Sequence, residues 1–202
     1  MPKPAPAEPG AVRVTARSRA KAERRTEILA AAARLMARRG FHAVRLDDIG
    51  AEVGISGPGM YRHFRNKEDV LAEMLLDISR RLEAGGAAVE QRGGTLEELL
   101  DGLIAVHVDF VVTEPDLISV QFRDLGTLAP EPRNQVRALQ RGYAERWVTV
   151  LCRLRPDLEV PFARARVHAV FGLLNSSPRL PTLETPVMRE LLTTMAHAAL
   201  GA

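Results

Sequence analysis

Apolar residues recur at spacings of three and four along most of this chain, and no stretch alternates convincingly at the two-residue period of a half-buried strand. The pattern predicts an all-α fold. Ile28, Leu29, Ala32, Leu35 and Met36 form the first stripe, placing a helix over about Arg24 to Arg39 that Gly40 ends as Phe41 folds back. Leu46, Ile49 and Val53 mark a short second helix with Asp47 and Asp48 in its first turn. Gly54 closes it, and Ile55 gives the turn an apolar residue to bury. Ser56 then stands as N-cap of a third helix, where Pro58 is tolerated because its missing amide has no partner near a helix start. Met60 and Phe64, four apart, face the core and leave Tyr61, Arg62, His63 and Arg65 on the other faces. Asn66 caps a fourth helix carrying Val70, Leu71, Met74, Leu75, Ile78 and Leu82, which spans the joint between a small head and a larger body.

The body continues in helices. Gly85, Gly86, Gly93 and Gly94 predict a flexible connection, after which Thr95 and Glu98 form a capping box opening a helix through Leu99, Leu103, His107, Phe110 and Val111. Pro115 opens a shorter helix with Leu117, Ile118, Val120, Gln121 and Phe122. A long one is expected from about Asn134 to Leu154, its stripe containing Val136, Tyr143, Trp147 and Leu151. Pro161 and Pro186 open the last two helices. Residues 1 to 20 are rich in proline, alanine and arginine without periodicity, so a disordered basic tail is expected there. Its Arg13, Arg17 and Arg19, with Lys21, are suited to reaching phosphates.

Composition narrows the class. With 46% apolar residues in 202, the chain can bury a real core. No apolar run is long enough to span a bilayer and the N-terminal stretch lacks the apolar segment of a signal peptide, so a cytoplasmic protein is expected. Cys152 is the only cysteine, which excludes intramolecular disulfides and cysteine-rich zinc sites and fits a buried small hydrophobe. Charge is uneven. Residues 1 to 70 hold 14 Lys and Arg against 8 Asp and Glu, a net of +6, whereas the remainder holds 14 against 17, a net of −3. A basic head on an acidic body is the balance expected of a protein whose head meets a polyanion.

Residues 46 to 71, LDDIGAEVGISGPGMYRHFRNKEDVL, therefore form a helix-turn-helix whose Gly57-Pro58-Gly59 tip has almost no side-chain bulk and suits close approach to another surface. Within it, GISGPGMYRHFRNKEDVL resembles the recognition-helix signature of the TetR (tetracycline-repressor-like) family of transcriptional regulators. The resemblance is strong over about Ala20 to Leu75 and weaker beyond. It implies a dimeric, all-helical, ligand-responsive DNA-binding protein, divided into a tail (1–20), a helix-turn-helix domain (21–66) and a helical ligand-binding and dimerisation domain (67–202). Two positions depart from the family pattern. Arg45 stands where members carry a capping Thr or Ser, and Gly50 stands where they carry alanine, which weakens that helix slightly.

Several expectations follow from the resemblance. Gly57, Pro58, Tyr61 and Arg62 are expected to approach base edges, while Arg45, Ser56, His63 and Lys67 hold phosphates of a palindromic double-stranded operator. Lys67, at a helix start, suits a phosphate because the dipole there favours an anion. A pocket in the body is expected to take a small apolar or acyl-type effector between Phe110, Phe122, Tyr143, Trp147 and Phe171, with His107, Gln121 and His168 as polar fixtures. By analogy the last two helices pair with their copies in a homodimer through Val167, Val170, Leu174, Leu191 and Met195. Ligand would then favour one setting of the Lys67 helix and so change the spacing of the two recognition helices. Two other classes are an effector-independent architectural DNA binder and a helical enzyme. Against the enzyme stand the lack of a nucleophile beside a base, of a phosphate-cradling glycine loop and of metal-ligand spacing, so neither cofactor nor metal is expected.

Overall fold

Capping chemistry accounts for where several elements start in the computed structural model, which describes residues 16–201. Among the described residues there are nine α-helices and no strand. They are α1 (Ala16–Arg39), α2 (Leu46–Glu52), α3 (Gly57–Met60), α4 (Lys67–Arg92), α5 (Leu96–Thr113), α6 (Pro115–Asp124), α7 (Pro130–Leu154), α8 (Val160–Leu174) and α9 (Thr185–Leu200). Asn66 Oδ1 accepts from the Asp69 amide at 2.7 Å to open α4, and the Thr95–Glu98 box opens α5 with bonds of 3.2 and 2.8 Å. At α2 the work falls to the other partner: Arg45 cannot accept a cap bond, and the Asp48 carboxylate takes the Arg45 amide at 2.8 Å.

The structure corrects two of the expected boundaries. Residues 16 to 20 are helical, because ARSRAKAERR is built of strong helix formers and extends α1 outward; Arg13 and the rest of the tail lie outside the described residues. Gly85 and Gly86 are not a connection but lie inside α4, where bare backbone lets neighbours close in. A Cβ on Gly85 would sit 2.9 Å from Val106 of α5, and one on Gly86 3.1 Å from the Tyr143 ring of α7. The break comes at Gly93 and Gly94, both at positive φ.

In the head, Ile28, Leu35, Met36, Val44, Ile49, Met60 and Phe64 share one core with the first turns of α4. Two cations fasten it. The Arg25 guanidinium pairs with Glu73 of α4, donates to the His63 carbonyl at 2.8 Å and lies 4.2 Å over the Phe64 ring. Lys67 Nζ donates to the carbonyls of Phe41, His42 and Val44 at 3.0, 3.2 and 3.1 Å, with the Phe41 ring 4.5 Å below. Gly50 also has a packing role beyond helix propensity: a Cβ there would lie 2.7 Å from both the Ile55 carbonyl and Met60 Cγ.

The body is α4 to α9 wrapped around Trp147, which is fully buried. Its joint with the head is double, through α4 itself and through α6, whose Arg123 donates to the Met36 and Ala37 carbonyls at the end of α1. Inside the body the rings of His107, Tyr143 and Phe171 lie near-parallel and side by side, with His107 5.8 Å from Tyr143 and 4.8 Å from Phe171, and 5.7 Å between Tyr143 and Phe171, all within 12° of parallel. Burial drives its pKa down from 6.5 to about 4, against an opposing hydrogen bond to Asn175.

Two outcomes follow. Lys67→Met leaves three inward carbonyls without their cation and is expected to lower the unfolding free energy by about 1–3 kcal/mol in denaturant titration. Unchanged stability with weakened DNA binding would instead return Lys67 to the phosphate contacts. His107 is neutral in the fold and chargeable when unfolded, so the unfolded state binds the extra proton between pH 6.5 and 4. Its contribution is fully present above 6.5 and is lost, at about 1.4 kcal/mol per pH unit, as pH falls through that window. Denaturant titrations at pH 7.5 and 5 should show a smaller acid loss for His107→Phe than for the parent chain; equal losses would contradict this.

Candidate nucleic-acid interface and ligand cavity

A helix of four residues cannot hold its own shape, so α3 takes its position from what surrounds it. Met60 beneath it and Phe64 just beyond it are buried, and Arg25 holds the His63 carbonyl. The Ser56 hydroxyl makes no cap bond, and the backbone is closely approached at both glycines: a Cβ on Gly59 would meet the branched Ile55 Cγ2 at 2.8 Å, which leaves little room for a side chain, whereas one on Gly57 would meet only the movable end of the exposed Asp47 carboxylate at 2.8 Å. What remains outside is Ser56, Pro58, Tyr61 and Arg62. Tyr61 is 60% exposed.

Polar tips that the fold has already used can be separated from those still available. Among the described residues, the side chains of Arg45, Tyr61 and Arg62 bond to nothing else, and all three are exposed. Arg65 is paired with Asp69 at 2.8 Å. Lys67, expected at a phosphate, has partners within the fold: its ammonium donates to three carbonyls of the α1–α2 turn and so braces the head. His63 is half-buried, and burial, then Arg25, Lys21 and Arg24, lower its pKa. Such a ring can donate a hydrogen bond but does not bring the positive charge a phosphate contact would use.

A cavity of about 310 Å³ opens between α4, α5, α6, α7 and α8. His107, Gln121, Tyr143, His168 and Phe171 line it, as expected from sequence. The other three aromatic walls are corrected. Phe110 and Trp147 are buried behind it, edge-on to His107, and Phe122 is 76% exposed with the Arg179 guanidinium 4.7 Å from its ring. His107 Nε2 donates to Asn175 Oδ1 at 3.3 Å, while its Nδ1 and the Tyr143 hydroxyl are buried without hydrogen-bond partners. Burial also pushes the Tyr143 phenol up, so both rings are uncharged near neutrality.

Arg137, Gln140, Arg141 and Asn175 line the cavity as well; the sequence pattern places Gln140 only on the inward stripe of α7 and gives no cavity role to the other three. Positions 137, 140, 141 and 144 repeat at helical spacing on one face of α7, but charged residues at that spacing look like a solvated face until the neighbouring helix is in view.

The expected dimer residues divide in two. Val167, Val170 and Leu174 are fully buried against the body and cannot face a partner, a correction that follows from α8 having two apolar faces of which these take the inner. Leu191 and Met195 are each 40% exposed and extend a stripe with Val187 along the outside of α9. Phe162, 62% exposed, lies on the outer side of α8, followed by Ala165, Ala169 and Gly172.

Comparison with known proteins agrees with this architecture. Residues 28–74 match the bacterial regulatory proteins of the tetR family, and residues 93–179 match the tetracyclin repressor-like C-terminal domain. The HTH-type transcriptional repressor KstR2 of Mycobacterium tuberculosis is 28% identical over 144 residues, covering 68% of this chain and 72% of that one. A TetR-family transcriptional regulator from Bordetella parapertussis superposes with a TM-score of 0.76 at 22% identity, over 85% of this chain and 93% of the other. AibR, crystallised in complex with isovaleryl coenzyme A and operator DNA, shares the fold with a TM-score of 0.70 at 18% identity, over 85% and 97%. Taken with the helix-turn-helix and the helical body, these matches place the chain in the TetR family of transcriptional regulators.

Proposed function

We propose that this regulator binds a palindromic operator as a homodimer and that a small effector in the body cavity changes its grip, most simply as a repressor released by ligand. The observation that carries the reading is the set of exposed, unpartnered groups on a braced turn, Pro58, Tyr61 and Arg62, with Arg45 beside them. Gly57 and Pro58 let the backbone come close to base edges, with Pro58 and Tyr61 offering apolar contact to thymine methyls and Arg62 a hydrogen bond to guanine. Arg45 and Ser56 approach phosphates, with His63 as a neutral donor. Lys67 acts indirectly, by holding the turn.

One such turn reads few bases, and two related by a twofold axis read a palindrome. The outer stripes of α8 and α9, Phe162 with Val187, Leu191 and Met195, supply an apolar face for that axis, and the small residues of α8 let helices approach closely. The repressor KstR2 supports the sign of the effect, and the acyl thioester bound by AibR supports the class of effector. Site and tip are linked through α4, which carries Leu82 at the cavity and Lys67 at the head, and through α6, which carries Gln121 and Arg123. The shift a ligand can produce equals its difference in affinity for the two settings.

Three measurements check this. Against a duplex selected from random sequence, Tyr61→Ala and Arg62→Ala should each weaken binding by about 5- to 150-fold, the equivalent of ~1–3 kcal/mol, with unchanged thermal unfolding; full retention of affinity would rule out this surface. Log affinity of the parent chain should fall linearly with log salt. Leu191→Glu should give a monomer in sedimentation and lose tight operator binding, whereas an intact dimer would move the interface elsewhere.

A further inference from the structure

Charge around the cavity is one-sided. Arg137 and Arg141, one turn apart on α7, stand at its rim, exposed, and among the described residues neither makes an ion pair or a side-chain hydrogen bond. Among the described residues no Asp or Glu lines the cavity. The other polar groups of the lining include the amides Gln121, Gln140 and Asn175, the Ser79 hydroxyl, which donates to the Leu75 carbonyl, and His168, exposed at the edge. The floor is different in kind, being formed by the stacked rings of His107, Tyr143 and Phe171 with Leu82 and Ala144. An uncharged, largely aromatic floor, polar only at His107 Nδ1, the Tyr143 hydroxyl and the bonded Ser79 hydroxyl, under a cationic rim selects for a molecule with the same division.

We propose that the effector is an anionic amphiphile, whose apolar body of medium length lies on the ring floor and whose anionic head is held by Arg137 and Arg141. This rests on the cavity being the effector site. Two guanidiniums one turn apart, with no competing carboxylate, form an anion site, and charge-assisted bonds there fix which end of the ligand points out. Size follows from the volume: about 310 Å³ is the space of roughly ten waters, so the buried body has about ten non-hydrogen atoms. A longer head has a path as well. Gln121, Arg137, Gln140 and Asn175 are shared with a second groove that continues over Phe122 to Gly126, and among the described residues this too has no carboxylate in its lining. The head is thus either a free carboxylate at the rim or the phosphates of an acyl thioester extending along that groove.

Calorimetric titration of the full chain with octanoate, octanoyl coenzyme A and 1-octanol tests this, with DNA binding followed in parallel. At least one anion should bind, and R137Q combined with R141Q should weaken it tenfold or more while leaving 1-octanol and thermal unfolding unchanged. From butanoate to octanoate affinity should rise about fourfold per methylene. Octanoate alone binding places a carboxylate at the rim; the thioester alone, weakened by Phe122→Ala, places the head in the groove. Anion binding that survives the double substitution, or 1-octanol binding as tightly as the anions, overturns the proposal. If 1-octanol nonetheless changes DNA affinity, the effector cavity stands without its anionic selectivity; if no ligand binds, both fall.

Discussion

The recognition helix is four residues long, and everything the head does depends on tertiary contacts fixing a segment that local hydrogen bonding cannot fix. Met60 and Phe64 anchor the segment from below, Arg25 holds the His63 carbonyl, and Lys67 ties the α1–α2 turn to the start of α4. Glycine at 59 lets the turn close over Ile55, whose Cγ2 already occupies the space a side chain would need. The same packing that buries one side of the turn leaves the Pro58 ring outside, with Tyr61 and Arg62 beside it and their polar tips unspent. Bracing and presentation are two results of one arrangement.

That arrangement is shared with the body, because α4 belongs to both cores. Its first turns complete the head, and its later turns press bare glycine backbone against α5 and α7, where Val106 and the Tyr143 ring sit close. A second link runs through α6, with Gln121 at the cavity and Arg123 two residues on at the carbonyl end of α1. A molecule entering the cavity therefore touches both elements that touch the head. Close-packed interiors pass on such displacements because they do not deform smoothly.

Much of this was legible in the chain, for identifiable reasons. Helix periodicity, the capping box at Thr95 and the glycine-proline tip are local signals, and they survive folding because tertiary contacts reinforce them. Five of the eight expected residues, four rings and Gln121, line the cavity, while Phe110 and Trp147 on the same kind of stripe are core, because an aromatic residue at helical spacing serves either place. Errors came where one residue type serves two roles and only a neighbour decides between them. Lys67 looked like a phosphate ligand because a cation at a helix start is out of place electrostatically; three carbonyls from residues more than twenty positions earlier supply the missing partner. Val167, Val170 and Leu174 looked like an interface because an apolar stripe has the same spacing whether it faces a core or a copy. Arg137 and Arg141 were passed over for the opposite reason, since arginines one turn apart are ordinary on a solvated helix until a cavity lies beside them.

Operator recognition as proposed requires the braced tip to enter a major groove twice on one face of DNA, once per subunit. Dimethyl sulfate footprinting of a selected duplex reads this directly, because guanine N7 lies in the major groove. Two protected patches are predicted, related by twofold symmetry and centred about one helical turn, or a multiple of it, apart. A single patch, or tight binding that leaves every guanine N7 reactive, would contradict it.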